Sequence, residues 1–132
     1  MQQTMPAIKY SIADQFLHEN LTWERELDFF MQENAFLKTR LSKVLDNNMD
    51  KNFLELAEQF QSNFILKDEH MKFLIEDIKA LQKKLMNCLE GVLSDDKKIL
   101  QQQEKLHSEM DYFEKNFASL KNEFNQYLAS IV

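Results

Sequence analysis

Apolar residues recur along this chain at alternating steps of three and four, the spacing of long amphipathic helices. The longest such seam occupies the middle: Phe53, Ala57, Phe60, Phe64, Lys67, Met71, Leu74, Ile78, Leu81, Leu85, Cys88 and Val92, with Lys67 its one charged position. Another precedes it, through Phe16, Asn20, Trp23, Leu27, Phe30, Asn34, Leu37, Leu41 and Val44. The third follows, through Ile99, Gln103, Leu106, Met110, Phe113, Phe117, Leu120, Phe124, Tyr127 and Ile131.

The gaps between seams carry the chemistry of helix ends. Ser11 is a candidate N-cap for a first helix reaching about Asn47. The run Asp46-Asn47-Asn48-Met49-Asp50 can turn, because Asn tolerates the left-handed conformation and Asp50 can cap the next helix. Gly91 suits the left-handed residue just past a helix ending near Glu90, and Ser94 or Asp95 can cap the third, with Asp95 and Asp96 well placed on its dipole. Short connections make neighbours antiparallel.

The predicted fold is therefore all-α: an elongated, antiparallel, up-down-up three-helix bundle with coiled-coil-like seams, its helices roughly 55–60 Å long. Residues 1–10, with Pro6, read as an N-terminal tail, and residues 11–132 as a single helical-bundle domain. The alternative is a four-helix bundle in which the middle helix breaks near Lys67-Asp68, Asp68 then serving as a new N-cap.

Composition narrows this further. A chain of 132 residues fits one domain able to bury roughly two thirds of its unfolded surface. One Gly and one Pro leave too little turn chemistry for a β fold. A hydrophobic fraction of 44% with eleven Phe is too high for disorder. The net charge of −6 opposes a phosphate backbone, so no nucleic acid partner is expected. No apolar stretch approaches the ~18 residues of a membrane span, and Met1 to Tyr10 does not pattern as a signal peptide. A cytoplasmic protein is expected. Cys88 sits on a seam, where it reads as a small hydrophobe.

Chemistry-bearing patterns are sparse. Gly91 alone cannot form a phosphate loop, and no nucleophile motif is present. Glu104 and His107 form one E-x-x-H, but di-iron bundles need a second copy with further inward carboxylates, and neither residue lies on the seam. His18 falls opposite its seam. His70 stands beside the middle seam, so a mononuclear metal site of His70, Asp77 and Glu109 is the alternative to a chain with no cofactor.

Two features bear on binding. Folding the chain about its turns brings Asn34, Asn63, Lys67 and Glu123 to one level, as either a device that fixes helix register or a polar ligand pocket. Phe29 and Phe36, seven residues apart and off the first seam, with Leu21 and Ala35 adjoining, form either the edge of a wide core or an uncovered surface for a partner.

The segments Leu17-His18-Glu19-Asn20-Leu21-Thr22-Trp23-Glu24-Arg25-Glu26-Leu27-Asp28-Phe29-Phe30, Glu58-Gln59-Phe60-Gln61-Ser62-Asn63-Phe64-Ile65 and Leu120-Lys121-Asn122-Glu123-Phe124-Asn125-Gln126-Tyr127-Leu128 resemble a group of short all-helical bacterial proteins of unknown function. The resemblance implies a bacterial, stand-alone helical domain and transfers no site residues. The expected function is non-catalytic: protein–protein contact as adaptor, scaffold or chaperone-like holder, with self-association as one form of it.

Overall fold

The computed structural model describes residues 10–47, 50–91 and 96–131. They form three helices, α1 (Tyr10–Asp46), α2 (Lys51–Leu89) and α3 (Asp96–Ala129), and no strand occurs among the described residues. At 1.5 Å per residue the helices are about 51–59 Å long.

Side-chain contacts fix the topology. Between α2 and α3, Phe53 stacks on Tyr127 (4.9 Å between centroids), Phe60 meets Phe124 (5.3 Å), His70 meets Phe113 (5.2 Å), and Lys84 Nζ donates to Gln102 Oε1 (3.2 Å). Numbers rise on one helix as they fall on the other, so the two are antiparallel. Between α1 and α3 the order is parallel: Gln103 bonds Glu19, Lys121 bonds Glu33, and Arg40 reaches Asn125. The bundle is up-down-up, as the seams predict.

The four-helix alternative is not what forms. The middle helix continues through Lys67 and Asp68. Asp68 spends its carboxylate on α1, accepting from Asn34 Nδ2 (2.7 Å) and from Lys38 Nζ, so it caps no new helix.

Helix ends follow local chemistry where they are described. Asp50, in extended conformation, accepts from the backbone N–H of Asn52 (2.9 Å) and Phe53 (3.3 Å), a cap of about 1 kcal/mol. At the other end of α2, Gly91 has φ 82° and donates to the Cys88 carbonyl (3.1 Å). No atom would obstruct a Cβ there, so its glycine is needed for backbone conformation and not for room. The first helix already includes Tyr10, which places Ser11 inside it instead of at its cap. Residues 1–9, the Asn48-Met49 part of the first turn, and the proposed caps Ser94 and Asp95 lie outside the described residues.

The seams meet in one continuous core from Ala13 to Leu128. α1 and α2 approach each other most closely, because Ala13, Asn20, Asn34 and Ala57 keep their shared seam slim. Phe113, Phe117, Phe124 and Tyr127 hold α3 further out, since interaxial distance follows the size of the side chains between helices.

The rings gather toward the first-turn end. Phe64 meets Phe124 edge-on (5.1 Å, 90°), Phe60 lies 5.0 Å from Tyr127, and the Tyr127 hydroxyl donates to the Phe53 carbonyl (2.9 Å). Burial of that phenol raises its pKa.

Candidate functional site

Phe29 and Phe36 each stand one residue ahead of a core position, Phe30 and Leu37, which turns them outward. They are 58% and 62% exposed and, one heptad apart, about 10.5 Å from each other along the axis. Glu33 and Arg40 on the same flank of α1 reach α3, so the two rings border the α1/α3 side of the bundle. Phe29 leans on Phe30 (6.2 Å), and the Arg40 guanidinium lies 5.9 Å from the Phe36 ring. Beside them Glu26 faces Glu114. Burial, and then the Glu114 charge, raise its carboxyl above the ordinary range. Leu21 and Ala35 are exposed as well and adjoin this stripe on the side toward α2.

A second outward aromatic region comes from α2 and α3. Leu66, Phe73 and Tyr112 are as exposed as the α1 pair. Leu66 and Phe73 also stand one residue ahead of seam positions, Lys67 and Leu74, and Tyr112 precedes Phe113. The signal that singles out Phe29 and Phe36 was therefore present here too. Neighbouring His70 and Lys84 both reach α3, which sets Leu66 and Phe73 on the α2/α3 side. Further toward Gly91 this interface opens into a groove of about 160 Å³ bordered by Asp77, Leu81, Lys84, Gln102, Leu106 and Glu109.

The polar level around Asn34 differs from the expected one. Asn34 is fully buried, and its Nδ2 donates to the Phe64 carbonyl (2.8 Å) and to Asp68 Oδ1 (2.7 Å). Lys38 pairs with the same carboxylate. Lys121 and Glu33 form an ion pair on the α3 side at 2.9 Å. Asn63 and Glu123 are exposed and stay outside this network, while Lys67 lays its ammonium 5.8 Å from the Phe113 ring. Helix phase is the reason. Asp68, four residues past Phe64, shares the α1-facing side of α2, whereas Asn63 lies on the other flank.

A second polar level lies nearer Gly91. Asn20 of α1 is fully buried, and neither atom of its amide has a hydrogen-bond partner. Gln103 of α3 is also buried. Its Nε2 donates to Glu19 Oε1 (3.1 Å) and reaches the Phe16 carbonyl (3.5 Å), and its Oε1 is unpartnered. Gln82 Nε2 and Glu24 Oε1 are buried without partners too. Leaving such a group unbonded costs about 1–3 kcal/mol. Between α1 and α3 a groove of about 300 Å³, bordered by Phe16, Glu19, Leu100, Gln103, Glu104 and His107, reaches this level. The His107 ring stands 6.3 Å from Trp23, with Nδ1 3.8 Å from Glu19.

The His residues do not converge. His18 is exposed and pairs with Asp14 on its own helix (3.6 Å). Glu104 and His107 are both exposed. His70 turns edge-on to Phe113 (82°). Burial first, and then the Lys67 charge, lower its pKa, with Glu109 acting in the opposite direction. Asp77 and Glu109 border one groove, but among the described residues no group of three or more His, Cys, Asp or Glu is arranged to hold a metal ion. No described helix is long and apolar enough to cross a membrane. Comparison with known proteins returns no match for this chain, whether to a family model, a curated protein or a solved structure.

Proposed function

We propose that this chain works by protein–protein contact and not by catalysis, through the stripe of Phe29 and Phe36 on α1, with Leu21 and Ala35 at its margin. The observation that carries the reading is the exposure of two phenylalanine rings, 58% and 62%, repeated at helical spacing on one flank. Single exposed apolar residues are ordinary on a soluble surface. Paired rings on one stripe are what a partner helix or a second copy of the chain would cover. The scatter of perturbed groups supports the same view: Glu26 and His70 lie on opposite flanks of α3, facing Glu114 and Glu109, and Tyr127 sits at the ring-rich end. A cytoplasmic setting, and a bacterial one as the resemblance implies, belong to the same proposal.

The double variant Phe29→Ser, Phe36→Ser tests it. Exposed substitutions change stability by about 0.5 kcal/mol or less, so helicity and melting temperature should stay near those of the parent chain. Light scattering across a concentration series should show weakened self-association. A large drop in melting temperature would assign the two rings to the core, and unchanged association would move the contact elsewhere on the bundle.

A further inference from the structure

We infer that the Gly91 end of the bundle holds an internal binding site for water between α1 and α2, framed by Asn20 and Glu24 of α1 and Gln82 of α2. Height and helix phase both place these residues together: Asn20 and Glu24 precede Asn34 and Lys38 by two heptads, and Gln82 follows Asp68 by two heptads, so they repeat the positions of a set that is bonded across α1 and α2. Asn34 bonds Phe64 and Asp68, and running that antiparallel pairing back along α1 sets Asn20 beside residues 78–82 of α2.

The unpartnered atoms specify the ligand. Asn20 Nδ2 and Gln82 Nε2 are donors, while Asn20 Oδ1 and Glu24 Oε1 are acceptors. A cation would face the two donors and an anion the two acceptors. Water both donates and accepts, and a buried water typically makes about three hydrogen bonds to groups that otherwise have none. Exchanging O and N within any of these amides leaves the set mixed, since Asn20 supplies one of each. The site lies apart from the Phe29 and Phe36 stripe and does not depend on the contact function.

The test is water–protein cross-relaxation on the isotope-labelled full chain, read at the side-chain amide protons of Asn20 and Gln82. Both should show rotating-frame cross-peaks of the sign that distinguishes bound water from proton exchange, with the laboratory-frame sign of water tumbling with the protein. Absence of such peaks at Asn20 overturns the proposal, as does a pattern given only by fast-moving bulk water. In Asn20→Leu, whose side chain would fill the space, the Gln82 peak should disappear while the melting temperature moves by no more than about 5 °C. Persistence of that peak would overturn a shared site. Should that variant not fold, the parent-chain spectra decide the question alone.

Discussion

The two ends of the bundle are built on different principles. Where α1 turns into α2, Phe53, Phe60, Phe64, Phe124 and Tyr127 interlock at centroid distances of 4.9 to 6.3 Å, and the polar atom among them, the Tyr127 hydroxyl, has its partner. Where α2 gives way to α3, Leu81, Leu85, Ile99 and Leu106 are buried near the level of Asn20, Gln82 and Gln103, several of whose amide atoms lack protein partners. Similar helices and similar spacing thus give a ring-packed end and a polar one. The contrast teaches that seam periodicity sets where a bundle forms, while the residue types on the seam set how strongly each stretch is held.

The largest test of this contrast is Phe64→Ala. The side chain is fully buried and edge-on to Phe124, so removing it should cost about 3–5 kcal/mol, measured by urea unfolding. A loss under about 1 kcal/mol would erase the distinction between the ends.

The next test compares the two buried asparagines. Asn34→Leu removes one of the two donors to the Asp68 carboxylate, leaving Lys38 as the other, and should destabilise by about 1–3 kcal/mol. Asn20→Leu removes an amide with no protein partner and should change stability by less than about 1 kcal/mol in either direction, because an apolar isostere in place of a buried polar group is often neutral. Equal losses at both positions would show that the two polar levels are alike.

The smallest expected effect is on pH dependence, and it separates the middle of the bundle from both ends. The folded-state pKa of His70 lies below its ordinary 6.5, so the folded chain favours neutral imidazole. That contribution is fully present above pH 6.5 and is lost as pH falls from there toward the lowered value. Glu26 acts oppositely: its raised pKa means that the burial penalty on its charge, and then the repulsion from Glu114, are relieved, and stability regained, as pH falls through that raised value toward 4.5. Unfolding midpoints of the parent chain and of His70→Phe, followed between pH 7.5 and about 5.5, should diverge, the variant lacking the decline. Parallel curves would mean that His70 is solvated like an ordinary surface histidine.

Much of the fold was legible in advance because its determinants are local. The alternation of three and four located the helices, Asp50 and Gly91 marked the ends of α2, and the heptad offset of Phe29 and Phe36 marked them as off the seam. The polar level expected from the sequence includes Asn63 and Glu123, which are exposed, and omits Asp68 and Lys38, which bond across α1 and α2. Numerical pairing across a turn gives height along the bundle but not which flank a residue occupies. Leu66, Phe73 and Tyr112 carry the same one-residue offset from the seam as Phe29 and Phe36.

The sequence by itself determined three amphipathic helices and their antiparallel order, since both follow from period, caps and short connections. Only the tertiary structure decided which buried amides find partners, which flank each aromatic ring takes, and how closely α1, α2 and α3 approach. Those depend on helix rotation and spacing, which are set jointly by all three seams and can be read from no one of them.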